Sequence, residues 1–266
     1  MNSKTSEKSN EPKQEIPVSI TPAPANSTSA PGKPPKIAVN SKFLVHDSTT
    51  CKGITNDFDV YFFDYGNGHN SDEISDVRAC IKKFKAAGKI VMSYLSAGSA
   101  EDWRSDWKEL SKYKTKGYDG WPGEVWLAVQ RPEVLALMKK RIDNLKTIGF
   151  DGFYTDNSTI YVDGENVTLQ QNIDYLVALA DYAHINGMYM IPNGGEKVIA
   201  ATIGKFDGYM GETISKYGGW DNYKLALGNY PIFNIVYKSG DCSFKKDVVT
   251  YYASGLGYSS FKRFCE

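Results

Sequence analysis

Residues 149–161, with the sequence GFDGFYTDNSTIY, decide how the rest of the chain is interpreted. Gly149 follows a helical pattern, and residues 152–155 form a short aromatic stretch that is typical of a strand. Asp156 and Asn157 stand where that strand should end. A carboxylate at the end of a buried strand is costly unless water, a partner or a substrate meets it. In an alternating β/α chain this position faces the ligand pocket, so Asp156 is the first candidate functional residue.

The segments around this stretch alternate between short strands and helices. Apolar residues at three- and four-residue spacing predict helices over 72–87, 132–148 and 168–186, and a glycine follows each of them. Strand-like units are predicted over 43–45, 60–63, 89–95, 125–129, 152–155, 188–191, 206–210 and 231–237. Further helices are predicted over 101–113, 196–203 and 243–254.

Eight strand-like units, most of them followed by a helix, predict an α/β fold, a single-domain (β/α)8 TIM barrel over residues 39–266. A doubly wound sheet is the alternative. That fold usually has a glycine-rich phosphate loop, GxGxxG, after its first strand, and this chain lacks the motif.

Residues 1–38 differ in composition from the rest of the chain. They hold seven of the eleven prolines and many Ser, Thr, Lys and Glu residues. Because their apolar residues are too few to offset the ordering entropy, we expect a disordered tether. The first residues lack an apolar signal core, which leaves two interpretations. One is a cytosolic protein with a loose tail; the other, which the spacer composition favours, is an extracellular, surface-tethered protein whose leader was removed.

Charge and composition exclude several classes of function. Lys and Arg total 31, as do Asp and Glu, and no basic stripe predicts nucleic-acid binding. No apolar run approaches the roughly 20 residues that a membrane-spanning helix needs. His46, His69 and His184 are scattered and no CxxC pair is present, so no metal site and no cofactor are predicted.

The four cysteines, Cys51, Cys80, Cys242 and Cys265, lie at long spacings that allow three pairings. A bridge between Cys242 and Cys265 would pin the C-terminus, and one between Cys51 and Cys80 would tie the first loop to the first helix. An extracellular location favours disulfides, and free buried thiols are the alternative.

In a barrel, the C-terminal end of every strand opens onto one face. The residues at these ends are Asp47, Asp64, Ser96, Asp156, Asn193, Glu212 and Tyr237. Two carboxylates at one rim, without metal ligands, are typical of glycoside hydrolysis: one protonates the leaving oxygen and the other attacks the anomeric carbon or activates water. Asp156 and Glu212 are therefore the candidate catalytic pair, although either acid alone could cap a turn or pair with a lysine.

Aromatic residues make up 13% of the chain, and their faces can stack on the apolar C–H surfaces of sugars. Tyr65, Trp121, Trp220 and Tyr237 are the candidates for stacking or hydrogen bonding at the rim. For each of them, packing in the core is the alternative.

Seven stretches carry a family resemblance. They are VYFFDYG (60–66), AAGKIVMSYLSAGSAEDWRSDW (86–107), DGWPGEVWLAV (119–129), RPEVLALMKKRIDNLKTIGFDGFYTDN (131–157), NGMYMIPN (186–193), GYMGET (208–213) and PIFNIVY (231–237). Through them, residues 60–265 resemble glycoside hydrolase family 114, the endo-α-1,4-polygalactosaminidases, and related extracellular barrel proteins.

The resemblance implies an enzyme that cleaves an α-1,4-linked polysaccharide containing galactosamine or N-acetylgalactosamine. It places Asp156 at the nucleophile position and Glu212 at the acid/base position. A retaining mechanism would need these carboxyl groups roughly 5–5.5 Å apart. The substrate is the expected partner, and we predict a monomer.

The resemblance also assigns roles to neighbouring residues. Contacts with the sugar are expected for Asp64, Ser96, Asn157 and Asn193. Arg104 is expected to be structural and paired with Glu101 or Asp102. Cys242 and Cys265 match a pair near the end of many relatives.

This chain departs from the family at several positions. Tyr154-Thr155 stands where the family often has Glu-Pro, and Pro192-Asn193-Gly194 where it often has Lys-Asn-Asp. Glu212 is flanked by Gly and Thr instead of Asn and Gln, and Val236 replaces a Glu. Because both catalytic positions are kept while neighbours change, a non-catalytic, cell-surface glycan-binding barrel is the second hypothesis.

Overall fold

The computed structural model describes residues 32–46, 48–66, 71–214, 220–237, 248–253 and 261–264. Residues 1–31 of the predicted tether lie outside these ranges, as do Asp47, Cys242 and Cys265. Across the described residues, no helix is both long and apolar enough to cross a membrane.

Eight parallel strands follow one another in chain order and build the (β/α)8 barrel. They are β1 (Phe43–His46), β2 (Val60–Phe63), β3 (Ile90–Ser96), β7 (Gly152–Asp156), β8 (Tyr189–Pro192), β9 (Tyr209–Glu212), β10 (Ile232–Val236) and β11 (Val249–Ala253). The first five pair in the order β1-β2-β3-β7-β8, and β9 pairs with β10 and β10 with β11. A parallel bridge between Asn193 and Met210 joins the two sets. The predicted fold class is confirmed.

The helices predicted over 72–87, 132–148, 168–186 and 196–203 are present within one residue of those bounds, and the described residues hold seven α-helices in all. They are α1 (Ser71–Ala86), α2 (Trp107–Leu110), α3 (Pro132–Ile148), α4 (Ile160–Asp163), α5 (Leu169–Ile185), α6 (Glu196–Thr202) and α7 (Trp220–Tyr223). Helix α3 has proline in its first turn and ends at Gly149, whose φ of 117° suits glycine. Thr168 and Gln171 form a capping box at the start of α5.

An antiparallel sheet is inserted between β3 and α3, which the sequence did not predict. Its strands are β4 (Ser99–Glu101), β5 (Lys114–Gly117) and β6 (Glu124–Leu127), in the order β4-β6-β5. The prediction of a barrel strand over 125–129 was therefore wrong, as was the helix over 101–113, which is β4, α2 and a 3-10 turn at Ser111–Tyr113. Only two residues separate β3 from β4, too few for a parallel crossover.

The C-terminal segment differs from its prediction as well. A helix was expected over 243–254, but residues 249–253 form β11, parallel to β10, and β12 (Phe261–Phe264) pairs antiparallel with β11. The sequence of β11, VTYYA, is rich in β-branched and aromatic residues that favour strands. One predicted barrel strand is thus lost and another gained, which leaves the number of barrel strands unchanged.

An aromatic cluster fills the barrel interior. The ring centroids of Phe43 and Phe233 are 4.6 Å apart, and those of Phe62 and Tyr154 are 5.2 Å apart. Burial of each such side chain stabilises the fold by about 1.5–3 kcal/mol. Tyr154 precedes Asp156 by two residues on β7 and therefore points to the same face of the strand. The cluster thus lies beneath Asp156 and leaves the rim as the accessible end.

The folded domain extends N-terminal to the predicted boundary at residue 39. Ile37 is buried, and Lys33 Nζ lies 3.7 Å from Asp207 Oδ1. A Cβ at Gly32, whose φ is 104°, would meet the His184 carbonyl oxygen at 2.6 Å, so this contact requires glycine. These contacts lie at the C-terminal end of α5 and in the turn before β9, at the end of the barrel opposite the C-terminal ends of its strands.

Cys51 and Cys80 are joined by a disulfide, with their Cα atoms 5.7 Å apart. The bridge ties the loop after β1 to α1, as one of the pairings considered from sequence would do. The remaining two cysteines lie outside the described residues.

Candidate active site

Asp156 ends β7 and is held by three donors. Its Oδ1 accepts hydrogen bonds from the backbone N–H of Asn157, at 2.8 Å, and from Asn193 Nδ2, at 3.4 Å. The Tyr94 hydroxyl lies 3.5 Å from Oδ2. Asn157 has a φ of 57°, and this left-handed turn directs its N–H back to the carboxylate that precedes it.

Glu212 ends β9 and faces Asp156 across Asn193. The same Asn193 Nδ2 that contacts Asp156 donates to Glu212 Oε1 at 3.1 Å, and the Tyr237 hydroxyl donates to Glu212 Oε2 at 2.7 Å. Because one nitrogen contacts both acids at 3.4 and 3.1 Å, Asp156 Oδ1 and Glu212 Oε1 are no farther apart than the two distances combined. The two carboxyl groups therefore lie close enough to act on the same glycosidic bond.

The two carboxylates are electrostatically coupled. Burial, followed by the charge of Glu212, raises the pKa of Asp156 to about 7, against the smaller, opposite effect of the Asn157 N–H. Two carboxylates this close resist joint ionisation, so Asp156 keeps its proton up to near neutral pH. One proton on two carboxyls is the state that a glycosidase needs before its reaction.

Thr213, which follows Glu212, also has a left-handed backbone, with a φ of 49°. Both candidate catalytic acids are therefore followed by a non-glycine residue in this conformation. For a β-branched residue such a φ is an outlier, and it costs of order 1–3 kcal/mol. Strain of this kind is concentrated at functional sites, and a sharp turn after each acid keeps its carboxylate at the strand end.

Two of the predicted sugar contacts, Ser96 and Asn157, belong to a buried polar cluster. Ser96 is fully buried and Asn157 is 8% exposed. Asn157 Nδ2 lies 2.9 Å from Ser96 Oγ, 2.9 Å from Ser99 Oγ and 3.0 Å from Glu124 Oε1. The Tyr118 hydroxyl donates to Asn157 Oδ1 at 3.0 Å. Their side chains are thus engaged in supporting the turn after Asp156.

Asp64, another predicted sugar contact, is bound by an arginine. Arg104 Nη1 and Nη2 lie 2.7 and 3.0 Å from its two carboxylate oxygens. Arg104 also contacts Glu101, at 3.1 Å. Arg141, which is buried as well, forms a bidentate ion pair with Asp106 at 2.5 and 2.7 Å. Arg104 has the structural role predicted for it, with Glu101 and Asp64 as its partners.

The aromatic candidates divide by exposure. Tyr65 is 4% exposed, and its ring centroid lies 4.4 Å from the Arg104 guanidinium, so it packs in the interior instead of facing the sugar site. Trp121 is 49% exposed in the loop between β5 and β6. Trp220 is half-buried at the start of α7, and Tyr237 is half-buried and contacts Glu212.

Sequence reasoning missed three residues near the candidate catalytic pair: Tyr94, Tyr118 and Glu124. Tyr94 lies two residues before Ser96 on β3, a spacing that places both side chains on one face. Glu124 lies inside the GWPGEVWL motif, which was a signal without an assigned role. In the described ranges, no group of three or more His, Cys, Asp or Glu side chains is arranged to hold a metal ion.

A barrel whose rim brings two carboxylates together over one bridging amide has the site of a glycoside hydrolase. The sequence comparison agrees, because the model of glycoside hydrolase family GH114 matches residues 21–263. The chain belongs to this family.

Solved structures share the fold. The galactosamine complex of Ega3 from Aspergillus fumigatus has a TM-score of 0.72 at 24% identity, covering 82% of this chain and 93% of that one. The glycoside hydrolase domain of PelA from Pseudomonas aeruginosa has a TM-score of 0.62 at 15% identity, covering 82% of this chain and 95% of that one. At these identities the likeness concerns the fold.

Among curated proteins, an uncharacterized protein of Thermotoga maritima is 28% identical over 178 residues, 61% of this chain and 52% of the relative. An uncharacterized protein of Methanocaldococcus jannaschii is 27% identical over 154 residues, 53% of this chain and 43% of the relative. The chain spans about half the length of these two relatives.

Proposed function

We propose that this chain is a retaining glycoside hydrolase that cleaves within an α-1,4-linked polysaccharide containing galactosamine or N-acetylgalactosamine. The observation that carries the proposal is the bridge by Asn193, which brings Asp156 and Glu212 close together at the C-terminal ends of β7 and β9. Membership of GH114 supports the same chemistry. We further propose that the protein acts as a monomer outside the cell, in keeping with its proline- and serine-rich N-terminal stretch.

In the first half of the proposed reaction, the Asp156 carboxylate attacks the anomeric carbon and forms a glycosyl ester. Glu212 donates its proton to the glycosidic oxygen as the C–O bond breaks, and the leaving chain departs as an alcohol. The hydrogen bonds from Asn157 and Asn193 hold the attacking carboxylate in place.

In the second half, Glu212 is ionised and accepts a proton from a water molecule that attacks the anomeric carbon. The ester bond to Asp156 breaks, which restores the Asp156 carboxylate and the protonated Glu212. The short hydrogen bond from Tyr237 orients Glu212 in both steps. Two displacements at the same carbon retain its configuration.

The charges around the pair favour a cationic sugar. Glu212, Glu124 and Glu101 all raise the pKa of Asp156, so the potential at this carboxylate is negative. Arg104 and Arg141, which lie close by, are engaged by Asp64, Glu101 and Asp106. An unacetylated amino sugar would relieve the repulsion between the acids, and it is a galactosamine that Ega3 binds in its crystal structure.

The second hypothesis, a barrel that binds glycans without cleaving them, is motivated by the departures from the family. Three of these residues, Tyr154, Thr155 and Val236, are buried at 4% exposure or less. Their substitution therefore changes the barrel interior more than the open rim, and the bridging Asn193 is kept. These observations favour the catalytic proposal.

Reducing-end assays on a panel of galactosamine, N-acetylgalactosamine and mixed polymers test the proposal. We expect turnover by the wild type, a loss of at least about 1000-fold in Asp156→Asn and Glu212→Gln, and full activity in Asp181→Asn, an exposed control on α5. NMR of the first product should show the α-anomer. Binding without turnover on every polymer would establish the second hypothesis, and unchanged turnover in both variants would refute the site.

A further inference from the structure

Glu124 is a buried carboxylate that the proposed reaction does not use. It begins β6, is 8% exposed, and forms no ion pair within the described residues. In the β4–β6 pairing it stands directly opposite Glu101, an unfavourable position for two acids. Glu101 is neutralised by Arg104 and Arg141, whereas the hydrogen-bond partners of Glu124, Ser99 and Asn157, are neutral. A buried charge without a cation is costly, so its presence needs an explanation.

The hydrogen bonds of Glu124 lead to the turn after Asp156. Its Oε1 accepts from Ser99 Oγ and from Asn157 Nδ2. Ser96 and Ser99 are also bonded to one another, and both of their hydroxyl oxygens lie 2.9 Å from Asn157 Nδ2. The Ser99 hydroxyl donates its proton to Glu124, so in the bond between the two serines it must accept the proton of Ser96. The Glu124 carboxylate is therefore the final acceptor of this series of hydrogen bonds.

Asn157 transmits this arrangement to Asp156. Its side chain is fixed at both ends, because Tyr118 donates to Oδ1 while Nδ2 is directed at the Ser96–Ser99–Glu124 cluster. A residue fixed in this way can keep a left-handed φ of 57°, and that conformation places its N–H 2.8 Å from Asp156 Oδ1. Without an acceptor at position 124, Nδ2 would lose one of its anchors.

We propose that Glu124 is a positioning residue for Asp156: it holds Asn157 so that the backbone N–H stays on the carboxylate. From behind the turn, the negative charge of Glu124 also acts on the Asp156 carboxylate. The role of Asp156 as nucleophile rests on the proposed function. The positioning role of Glu124 does not depend on that assignment. It is inferred from the hydrogen bonds that Ser99 and Asn157 donate to Glu124, and from the lack of an ion pair to Glu124 among the described residues.

Other titratable groups also face Asp156. They are Glu212 from β9, Glu101 from β4, Tyr94 from β3 and Tyr118 from the loop before β6. Glu124 differs from Glu101 in having no arginine partner, and from Glu212 in lying behind the turn instead of across the rim. Burial raises the pKa of Glu124 itself, while the bonds from Ser99 and Asn157 act in the opposite direction.

Two variants separate the charge of Glu124 from its hydrogen bonds. Glu124→Gln keeps an acceptor but removes the charge, and Glu124→Leu removes both. The pH dependence of the NMR signal of the Asp156 carboxyl carbon reports the charge effect. That signal is identified by its absence from the spectrum of Asp156→Asn. The rate of hydrogen exchange at the backbone N–H of Asn157 reports the positioning effect. Glu109→Gln, an exposed acid on α2, is the matched control.

In Glu124→Gln we expect the Asp156 titration to move to lower pH while the Asn157 amide stays protected. In Glu124→Leu we expect the titration to move and the amide to exchange about tenfold faster or more. If Glu124→Leu does not fold, Ser99→Ala removes one donor from Glu124 and should speed amide exchange to a smaller extent. The control should change neither measurement.

An unshifted titration in folded Glu124→Gln, or an equally protected Asn157 amide in Glu124→Leu or Ser99→Ala, would overturn the inference. These measurements use the free protein, so their outcome does not depend on finding an active polymer. If the glycosidase proposal holds, Glu124→Gln should also lower kcat about tenfold with KM within about twofold of wild type.

Discussion

Replacing Asp156 with asparagine should stabilise the folded protein at pH 8 and have little effect at pH 4. Burial and the charge of Glu212 raise the pKa of Asp156 from 3.8 to about 7. Because the folded-state pKa is above the unfolded value, ionisation is harder in the folded protein. The free energy of unfolding therefore falls as the pH rises from about 4 to 7, and the full penalty is present above pH 7.

The size of the effect follows from the shift. A difference of about three pKa units corresponds to roughly 4 kcal/mol, which is an upper limit because Asp156 retains some access to solvent. Asparagine also accepts the Asn157 N–H less strongly than a carboxylate does, a loss of about 1 kcal/mol. We expect Asp156→Asn to gain about 2–3 kcal/mol at pH 8, or about 4–12 °C in Tm for a domain of this size.

Denaturant unfolding of the wild type and Asp156→Asn at pH 4.5, 6, 7 and 8 measures this difference. The gap between the two proteins should widen steadily with pH. Asp181→Asn, which replaces an exposed acid on α5, should show a small gap that does not change over the series.

A gap at pH 8 no larger than the gap at pH 4.5 would refute the electrostatic reasoning, and so would a variant less stable than wild type at pH 8. Glu212→Gln provides a second check. Because either substitution relieves the same repulsion, the double variant should gain less than the sum of the two single gains.

Three further outcomes follow from the structure. Removing the disulfide in the Cys51→Ser/Cys80→Ser variant, a link across 29 positions, should lower the free energy of unfolding by about 3–4 kcal/mol in denaturant titrations. Trp121→Ala removes an exposed ring held on a tight turn and should raise KM for the polymer about 2–10-fold; a fall in kcat at constant KM would contradict a stacking role. Thr213→Asn should stabilise the fold by about 1 kcal/mol, because asparagine tolerates a left-handed φ better than a β-branched residue, and equal or lower stability in thermal unfolding would argue against strain.

The barrel could be predicted from the alternation of strands and helices, but its strand assignment could not. Short apolar runs such as EVWL (124–127) and VTYYA (249–253) have the same local character. What separates them is pairing with distant strands: the first pairs antiparallel with β4 and β5, the second parallel with β10. Helices α3 and α5 were predictable within one residue because their end signals are local.

The candidate site shows the same division. The position of Asp156 and Glu212 at strand ends follows from strand boundaries, and the structure brings the two acids together as that rule predicts. The roles of Ser96 and Asp64 depend on partners that sequence spacing does not reveal. Ser96 is bound to residues on β4 and in the turn after β7, and Asp64 to an arginine 40 positions away.

The ion network beneath the rim bears on how the substrate is recognised. Arg104 and Arg141 stay charged at any accessible pH, and they lie buried among Asp64, Glu101 and Asp106. Removing one member of such a network leaves an uncompensated buried charge, which costs about 3–5 kcal/mol, so these acids are committed to stability. Asp64 has both carboxylate oxygens on Arg104 and is poorly placed to attract a second cation. For the amino sugar proposed above, Asp156 and Glu212 offer an attraction that Asp64 does not, because a bound cation would relieve their mutual repulsion.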